Sequence, residues 1–395
     1  MKHETVKPPM RTDFLPFAAP LVGDDEVAGV VECLRSGWLT SGLKVKEFEK
    51  EFAAFVGSRH ALAVNSCTAA LHLALEAVGV RQGDEVITSP MTFTATAAVM
   101  EHLGARPILV DVDPSSLNID PAQIESRITP RTRAIVPVHF AGQACEMDAI
   151  LEIARRHGLP VVEDAAHAIP TRYHGRLIGT LGDITCFSFY ATKNLTTGEG
   201  GMITTERDEY AERMRLMTLH GMSRDAWKRY TQDGSWRYEI LAPGYKYNLT
   251  DVAAAIGIPQ LRRCTDFLER RAAIARAYTR AFEDLDAVQT PWVRDEAEHG
   301  WHLYVIQINP EALRIDRDVF VKKLLERKIG VSVHFIPLHI HPYYRDRYGF
   351  KPEDYPNAFG AFQRIISLPI YAKMTDADVE DVIEAVRQIA DENAR

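Results

Sequence analysis

The sequence predicts an α/β protein: a large domain with a mainly parallel sheet sandwiched by helices, then a smaller α+β domain at the C-terminal end. Three observations carry this expectation. Short Val- and Ile-rich runs alternate with segments of helical period from about residue 45 to 220, as in a parallel sheet built from crossover units. After Asn248 the pattern changes to a long helical stretch and a few strand-like runs. A chain of 395 residues is also longer than one small core needs.

Residues 61–64, 85–88, 107–112, 134–138, 161–163, 185–189 and 202–204 read as strands, and 68–77, 148–156 and 209–219 as helices. Beyond them, 250–283 reads as a long helix broken near Pro259, followed by strand-like HLYVIQI, a helix over 319–328 and strand-like VSVHF. The chain ends in a helix. Thr375 can cap it with Asp378 at the third helical position, and Val379, Val382, Ile383, Val386 and Ile389 make one buried face. The expected organisation is an N-terminal extension over 1–20, a large domain over 21–248 and a small domain over 249–395, with LAPGYKYN (241–248) at the junction.

Hydrophobic residues make up 46% and charged residues 25%, with no low-complexity tract, so an ordered globular chain is expected. A net charge of -8 offers no general attraction to phosphate backbones or anionic lipid, which argues against nucleic acid as a partner. The five cysteines are scattered without a C-x-x-C pair, and a reducing cytoplasm suits them. The first twenty residues lack the apolar stretch of a signal peptide, and no run approaches the ~20 apolar residues of a membrane span, so a cytoplasmic chain without membrane insertion is expected.

The densest chemical signal is FSFYATKNLTTGEGGMITT (187–205): a strand, a loop with one lysine, a glycine-rich turn and another strand. A lysine buried there loses charge stabilisation, its pKa falls, and it becomes nucleophilic enough for Schiff-base chemistry. An isolated lysine is usually a solvated surface residue, so the surroundings of Lys193 decide its meaning. Upstream, VVEDAAHA places Asp164 at the carboxyl end of a buried strand, where open α/β sheets present ligand groups. A carboxylate there needs a partner, and a pyridinium nitrogen would be one; helix capping and ion pairing are the plainer roles. His167 could stack on such a ring or simply pack. In AVNSCTAALHLAL a strand runs into a helix through Ser66, Cys67 and Thr68, whose unpaired first-turn donors suit a phosphate, or whose serine merely caps the helix. Ser188 can add one more phosphate contact.

Together these segments resemble the sugar aminotransferases of the DegT/DnrJ/EryC1/StrS family, pyridoxal-phosphate enzymes of fold type I, the aspartate aminotransferase type, that act on nucleotide-linked keto sugars. The likeness runs from about FLPFAAP to the C-terminal helix. GWLTSG (37–42), MTFTATAAV (91–99), EDAAHA (163–168), FSFYATKNLTTGEGG (187–201), GYKYNLTDVAAAIG (244–257) and HFIPLHIHPYY (334–344) follow the order of the family. By position, the resemblance implies that Lys193 holds pyridoxal 5'-phosphate as a Schiff base and that Asp164 pairs with the pyridine nitrogen. His167 would contact the oxygen side of the ring, Phe93 would stack on it, and Ser66, Cys67, Thr68 and Ser188 would form the phosphate cup. Asn248 would reach the phosphate from the neighbouring subunit, making the site a property of a homodimer. Two departures stand out. Cys67 occupies a position where the family often has glycine or alanine, so its contribution is its backbone N–H, and GYKYN replaces the commoner GYNYR.

His334, His339 and His341 invite a metal reading, but no carboxylate or cysteine accompanies their irregular spacing, and no metal is expected. The resemblance instead makes His334 a substrate contact. It likewise makes the GWLTSG loop, with Trp38 and Thr40, a substrate loop, and lets Arg224, Lys228, Arg229 and Arg237 meet a diphosphate.

The implied reaction is a ping-pong transamination. L-Glutamate converts the cofactor to pyridoxamine 5'-phosphate and leaves as an oxo acid, a keto sugar then takes the amine, and Lys193 moves the proton in each half. The stretch from His220 to Asp251 looks most like enzymes that aminate C4 of UDP-linked 4-keto sugars for lipopolysaccharide, lipid or surface polysaccharide modification. Two alternatives stay open at this stage. One is a pyridoxal-dependent sugar dehydratase, which in this family carries histidine in place of the lysine; the other is a non-catalytic regulator that keeps the fold.

Overall fold

The computed structural model describes residues 11–223 and 238–395. In chain order, α1 (Asp24–Ser36) and α2 (Leu43–Val56) precede β1 (His60–Val64), α3 (Cys67–Ala77), β2 (Glu85–Thr88), α4 (Ala95–His102), β3 (Arg106–Leu109), α5 (Pro121–Ile124), β4 (Thr132–Val136) and α6 (Met147–His157). Then come β5 (Val162–Asp164), a hairpin of β6 (Arg172–Tyr173) and β7 (Arg176–Leu177), β8 (Ile184–Ser188), β9 (Gly201–Thr205) and α7 (Asp208–Thr218).

Strands pair in the orders β3-β2-β4 and β5-β8-β9-β1. Parallel bridges from Ile135 to Val161 and from Val138 to Asp164 join β4 to β5, giving one seven-stranded surface. The pairs β2 with β3, β2 with β4 and β5 with β8 are parallel, whereas β9 runs antiparallel to both its neighbours. It follows that β1, β2, β5 and β8 all end on one edge of the sheet and that β9 begins there. All seven strands expected from the sequence are present. Apart from exposed Arg106 and Arg133 and half-buried His60 and Ile108, their side chains are buried on both faces, as a sheet covered by helices requires, and for that reason they read as largely apolar runs.

The remaining elements are α8 (Asp251–Arg262), α9 (Cys264–Phe282), β10 (Val288–Gln289), β11 (Ala297–Glu298), β12 (Tyr304–Ile308), α10 (Arg317–Glu326), α11 (Pro342–Tyr348), α12 (Pro356–Phe362), β13 (Ile365–Leu368) and α13 (Asp376–Glu392). A second core joins the antiparallel sheet β10-β12-β13 to α9, α10 and α13, with Val379, Val382, Val386 and Ile389 buried in it and Ile383 packed against it. The cap of α13 forms as expected: Thr375 Oγ1 accepts from the Asp378 amide at 3.1 Å, and Asp378 Oδ2 accepts from the Thr375 amide at 2.8 Å.

Three expectations change. The helical stretch 250–283 breaks at Arg263, not at Pro259, which lies inside α8. Proline leaves the carbonyl four residues back without an N–H partner. That carbonyl, on Ala255, faces Gly29 of α1, where a Cβ would stand 2.9 Å from its oxygen, so the close approach of α1 accommodates the unbroken helix. Secondly, VSVHF forms no strand. Ser332 makes one bridge to Ser367, after which the Phe335 amide turns to Met91 Sδ and the chain heads for the sheet edge. Thirdly, α8 packs on α1 and α2 and shares the core of the large domain, although it lies beyond residue 248. Leu15, within the stretch expected to be an extension, is bridged to Ile329 and buried in the second core.

Asp251, buried at the start of α8, ties the junction to α2. Its carboxylate accepts from the amides of Gly42, Lys44 and Val45, at 2.7, 3.2 and 3.0 Å, the donors that a helix leaves unpaired at its N-terminus. Replacing it by alanine strands buried donors, so Asp251→Ala should lower stability by about 2–3 kcal/mol. Urea unfolding followed by far-UV circular dichroism measures this, and Asp251→Asn should recover part of the loss.

Candidate active site

The shared sheet edge opens into a cavity of about 480 Å³ lined by Ser66, Cys67, Thr68, Phe93, Asp164, His167, Ser188, Lys193 and His334, among others. Each side chain arrives by local necessity. Asp164 and Ser188 are the last residues of β5 and β8, and Ser66 follows β1. Phe93 sits in the turn after β2, and it stays 61% exposed although aromatic, because its ring faces this opening. Gly201 begins β9 beside them. A Cβ on it would lie 2.8 Å from the carbonyl oxygens of Phe187 and Ser66, so only glycine lets that strand close against the turn into α3.

Lys193 lies in the loop between β8 and β9, its amide bonded to the Tyr190 carbonyl at 2.9 Å. Its side chain is partly open to the cavity, yet the surrounding protein removes enough water to push its pKa down to about 8, against the pull of Cys67 and Asp164. Asp164 is buried, and burial raises its pKa. Thr96 Oγ1 opposes that rise by donating to Oδ2 at 2.7 Å, as does the Ala166 amide to Oδ1 at 3.1 Å and, through space, Lys193. Thr92 Oγ1 lies 2.7 Å from Thr96 Oγ1, and since Thr96 directs its proton to the carboxylate, Thr92 is the donor in that second bond.

At the start of α3, Ser66 Oγ accepts from the Ala69 amide at 3.1 Å and thus does cap the helix. The amides of Cys67 and Thr68, at the first two helical positions, have no carbonyl within the helix to bond. Capping and anion binding are therefore compatible in this turn. His167 accepts from the Ala141 amide through Nδ1 at 3.3 Å and stacks on Phe335, and burial holds its pKa well below the ordinary value. His334 is held by Ser367 Oγ at 2.9 Å, and burial lowers its pKa to about 4. These imidazoles are neutral near pH 7.

The other histidines of that stretch lie elsewhere. His339 is buried against Tyr355, and His341 Nε2 bonds the Ile336 carbonyl at 3.2 Å, so the three do not converge on one point. Trp38, Thr40 and Asn248 do not line the cavity. They form a separate cluster in which Asn248 Nδ2 donates to Ser41 Oγ at 2.7 Å and the Asp251 amide donates to the Thr40 carbonyl at 3.2 Å. Arg224, Lys228, Arg229 and Arg237 lie outside the described residues. Sequence reasoning missed Thr92, Thr96, Tyr190, Thr192, Glu199 and His302, which also line the cavity. The segment MTFTATAAV contained the two threonines, but no local signal points a hydroxyl at a carboxylate 68 residues away.

A lysine of lowered pKa, a buried carboxylate held by neutral donors and a helix N-terminus on one sheet edge define a fold type I pyridoxal-phosphate enzyme. The chain belongs to the DegT/DnrJ/EryC1/StrS aminotransferase family, whose model matches residues 20–387. It is 55% identical over 380 residues to the spore coat polysaccharide biosynthesis protein SpsC of Bacillus subtilis, covering 96% of this chain and 98% of that one. Spr1654 of Streptococcus pneumoniae, named as a sugar aminotransferase, superposes with a TM-score of 0.90 at 32% identity over 96% of this chain and 99% of that chain, in both its PLP and PMP forms. DesI, solved in the presence of its TDP-sugar product, superposes with a TM-score of 0.85 at 29% identity over 96% of this chain and 93% of that chain. The protein is a sugar aminotransferase that uses pyridoxal phosphate. No helix among the described residues is long and apolar enough to cross a membrane.

The cavity fits that cofactor. Asp164 is a desolvated acid whose hydrogen bonds from Thr96 and Ala166 come from neutral groups, which leaves it suited to a cationic N–H, and the open turn of α3 suits a phosphate. Activity that needs Asp164 charged is present above its pKa and lost as pH falls through it. Thr96→Val removes the strongest donor and moves that pKa further up, so the acidic limb of the kcat profile should shift to higher pH, with kcat at pH 7 falling about tenfold.

Proposed function

We propose that this enzyme moves an amino group from L-glutamate to C4 of a UDP-linked 4-keto sugar, supplying an amino sugar to surface glycan or lipid modification. The observation that carries the reading is the convergence of Lys193, Asp164 and the first turn of α3 on one cavity. When bound there, pyridoxal phosphate supplies an electron sink for a carbanion formed beside its ring.

The residues have distinct tasks. Lys193 is the attachment point and, once free, takes and returns the proton at the reacting carbon through Nζ; its lowered pKa leaves a useful neutral fraction near pH 8. Asp164 holds the ring nitrogen protonated, and the Thr92 to Thr96 chain holds Asp164 as a carboxylate. The Cys67 and Thr68 amides, with Ser66 and Ser188, receive the phosphate. Phe93 covers one face of the ring, His167 contacts its oxygen side, and His334 meets the sugar.

A nucleotide-linked substrate is supported by DesI, named with a TDP-sugar product, and a glycan destination by the name of SpsC. The choice of UDP, of C4 and of glutamate rests on the likeness of residues 220–251 and of the family. A homodimer is supported by the place of Asn248, Trp38 and Thr40: they cluster together yet outside the cavity of their own chain, as expected of groups that complete a neighbour's site. In this reading, as the family likeness implies, Arg237 contacts the substrate.

Incubating the enzyme with L-glutamate and UDP-, dTDP- or GDP-linked keto sugars tests the substrate. The expected result is 2-oxoglutarate release with the UDP-4-keto sugar and an amine at C4 by NMR; amination at C3, or of another nucleotide series alone, would refute the assignment. Lys193→Ala should lose both half-reactions and the covalent cofactor link that borohydride traps in the wild type. Asp164→Asn should retain cofactor while kcat falls by several orders of magnitude, roughly as for other losses of electrostatic stabilisation. In the wild type, the half-reaction that needs neutral Lys193 should rise with pH and level off above about 8, because deprotonation creates the base.

A further inference from the structure

His302 stands directly against Lys193, and its surroundings determine which ring nitrogen carries hydrogen. Nε2 lies 3.5 Å from Lys193 Nζ, and Nδ1 lies 3.3 Å from Asn194 Oδ1. The amide of Asn194 is oriented by two backbone carbonyls: its Nδ2 donates to Ile169 O at 2.9 Å and to Gly300 O at 2.6 Å. With both N–H groups engaged, only the amide oxygen is left for the imidazole, and an oxygen can only accept. Nδ1 therefore bears the hydrogen. A neutral ring protonated at Nδ1 presents a bare lone pair at Nε2, aimed at the lysine.

The ring is neutral because burial holds its pKa well below the ordinary value, a tendency strengthened by the positive charges of Lys193 and Arg271 and by the nearby His167 and His334. On the other side, Asp164 and Cys67 face Lys193. The loop that carries His302 is fixed at several points. Gly300 N donates to Gly142 O at 2.8 Å, and Leu303 N to Ala141 O at 3.1 Å. Arg271, a buried guanidinium, donates through Nη1 to the carbonyls of Trp301, His302 and Ile370 at 3.1, 3.3 and 2.7 Å. Trp301 sits at a φ of 47°, a left-handed conformation that non-glycine residues adopt only when their surroundings impose it. The protein thus devotes a strained turn, a buried arginine and a committed amide to the placement of one imidazole.

We propose that His302 is the positioning residue for the Lys193 amine: its Nε2 accepts a hydrogen bond from Nζ whenever the lysine is free, and Asn194 imposes the tautomer that makes this possible. The proposal rests on the reading of Lys193 as the cofactor-linked base and assigns that base its partner. During the part of the cycle in which Lys193 is detached, a four-carbon side chain has many conformers. An acceptor on one side selects those that keep Nζ at the reacting carbon. Being neutral, it does so with a far smaller pKa rise than a carboxylate would cause.

The test uses the enzyme loaded with pyridoxamine phosphate, where the lysine is free, with lysine labelled with carbon-13 at Cε so that Lys193 is titrated directly by NMR. His302→Leu removes the acceptor, so the Lys193 midpoint should fall by about one pH unit, a tenfold loss of proton affinity, and kcat should fall about tenfold with KM for the sugar unchanged. His302→Gln restores an acceptor and should recover most of both effects. His302→Phe, closer in volume to imidazole, repeats the test if the leucine variant does not fold. An unchanged midpoint in the leucine or phenylalanine variant, an equal fall with glutamine, or a change confined to KM would overturn the proposal. Covalent attachment of the cofactor to Lys193→Ala after borohydride reduction would instead overturn the underlying reading of Lys193, so the two failures are distinguishable.

Discussion

The direction of β9 governs the site. Because this strand runs against β1 and β8, the chain leaves β8 at the edge where the other strands end, turns through the Lys193 loop, and re-enters the sheet at the same edge. Were β8 followed by a parallel strand, a crossover of a dozen or more residues would be needed, and its start would lie at the opposite edge. The antiparallel return keeps the lysine between the carboxyl ends of β5 and β8 and beside the open turn of α3. Gly201 is the local condition for this arrangement, since the returning strand passes within contact distance of the Ser66 carbonyl.

Desolvation then differentiates the groups gathered there. It lowers the basicity of Lys193 and raises that of Asp164, which brings amine and acid toward each other in proton affinity. Left alone, burial would neutralise the acid. The threonine pair and the Ala166 amide counter that tendency with fixed dipoles, which need no counter-charge and leave the cavity side of the carboxylate available. The buried histidines respond in the opposite sense, losing their charge, so His167, His302 and His334 contribute shape and lone pairs in place of positive potential.

Much of this was legible in the sequence. The seven strands could be read because burial on both faces requires unbroken apolar runs, and the cap of α13 because Thr375 and Asp378 interact within one turn. The groups at strand ends, Asp164 and Ser188, and the turn at Ser66 followed from where those runs stop. Other features were hidden for physical reasons. Helix α4 is nearly all Ala, Thr and Val at its start and lacks a polar face, so its period is faint. The continuity of α8 through Pro259 goes with the close packing of α1 against the Ala255 carbonyl, a contact over 200 residues away in sequence. His302 sits in an apolar run that reads simply as strand, and what distinguishes it is a contact with a lysine 109 residues distant.

Asp251 has a consequence for how this scaffold can change. Its carboxylate makes the loop around Trp38 and Thr40 and the segment around Asn248 into one mechanical unit, anchored through the N-terminus of α2. A different loop grafted at 37–42 would have to present an amide where that of Gly42 stands, or leave Asp251 with the Lys44 and Val45 amides alone. The two segments therefore form a single module for engineering and for divergence: exchanged together they keep the Gly42–Asp251 link, and exchanged separately they break it.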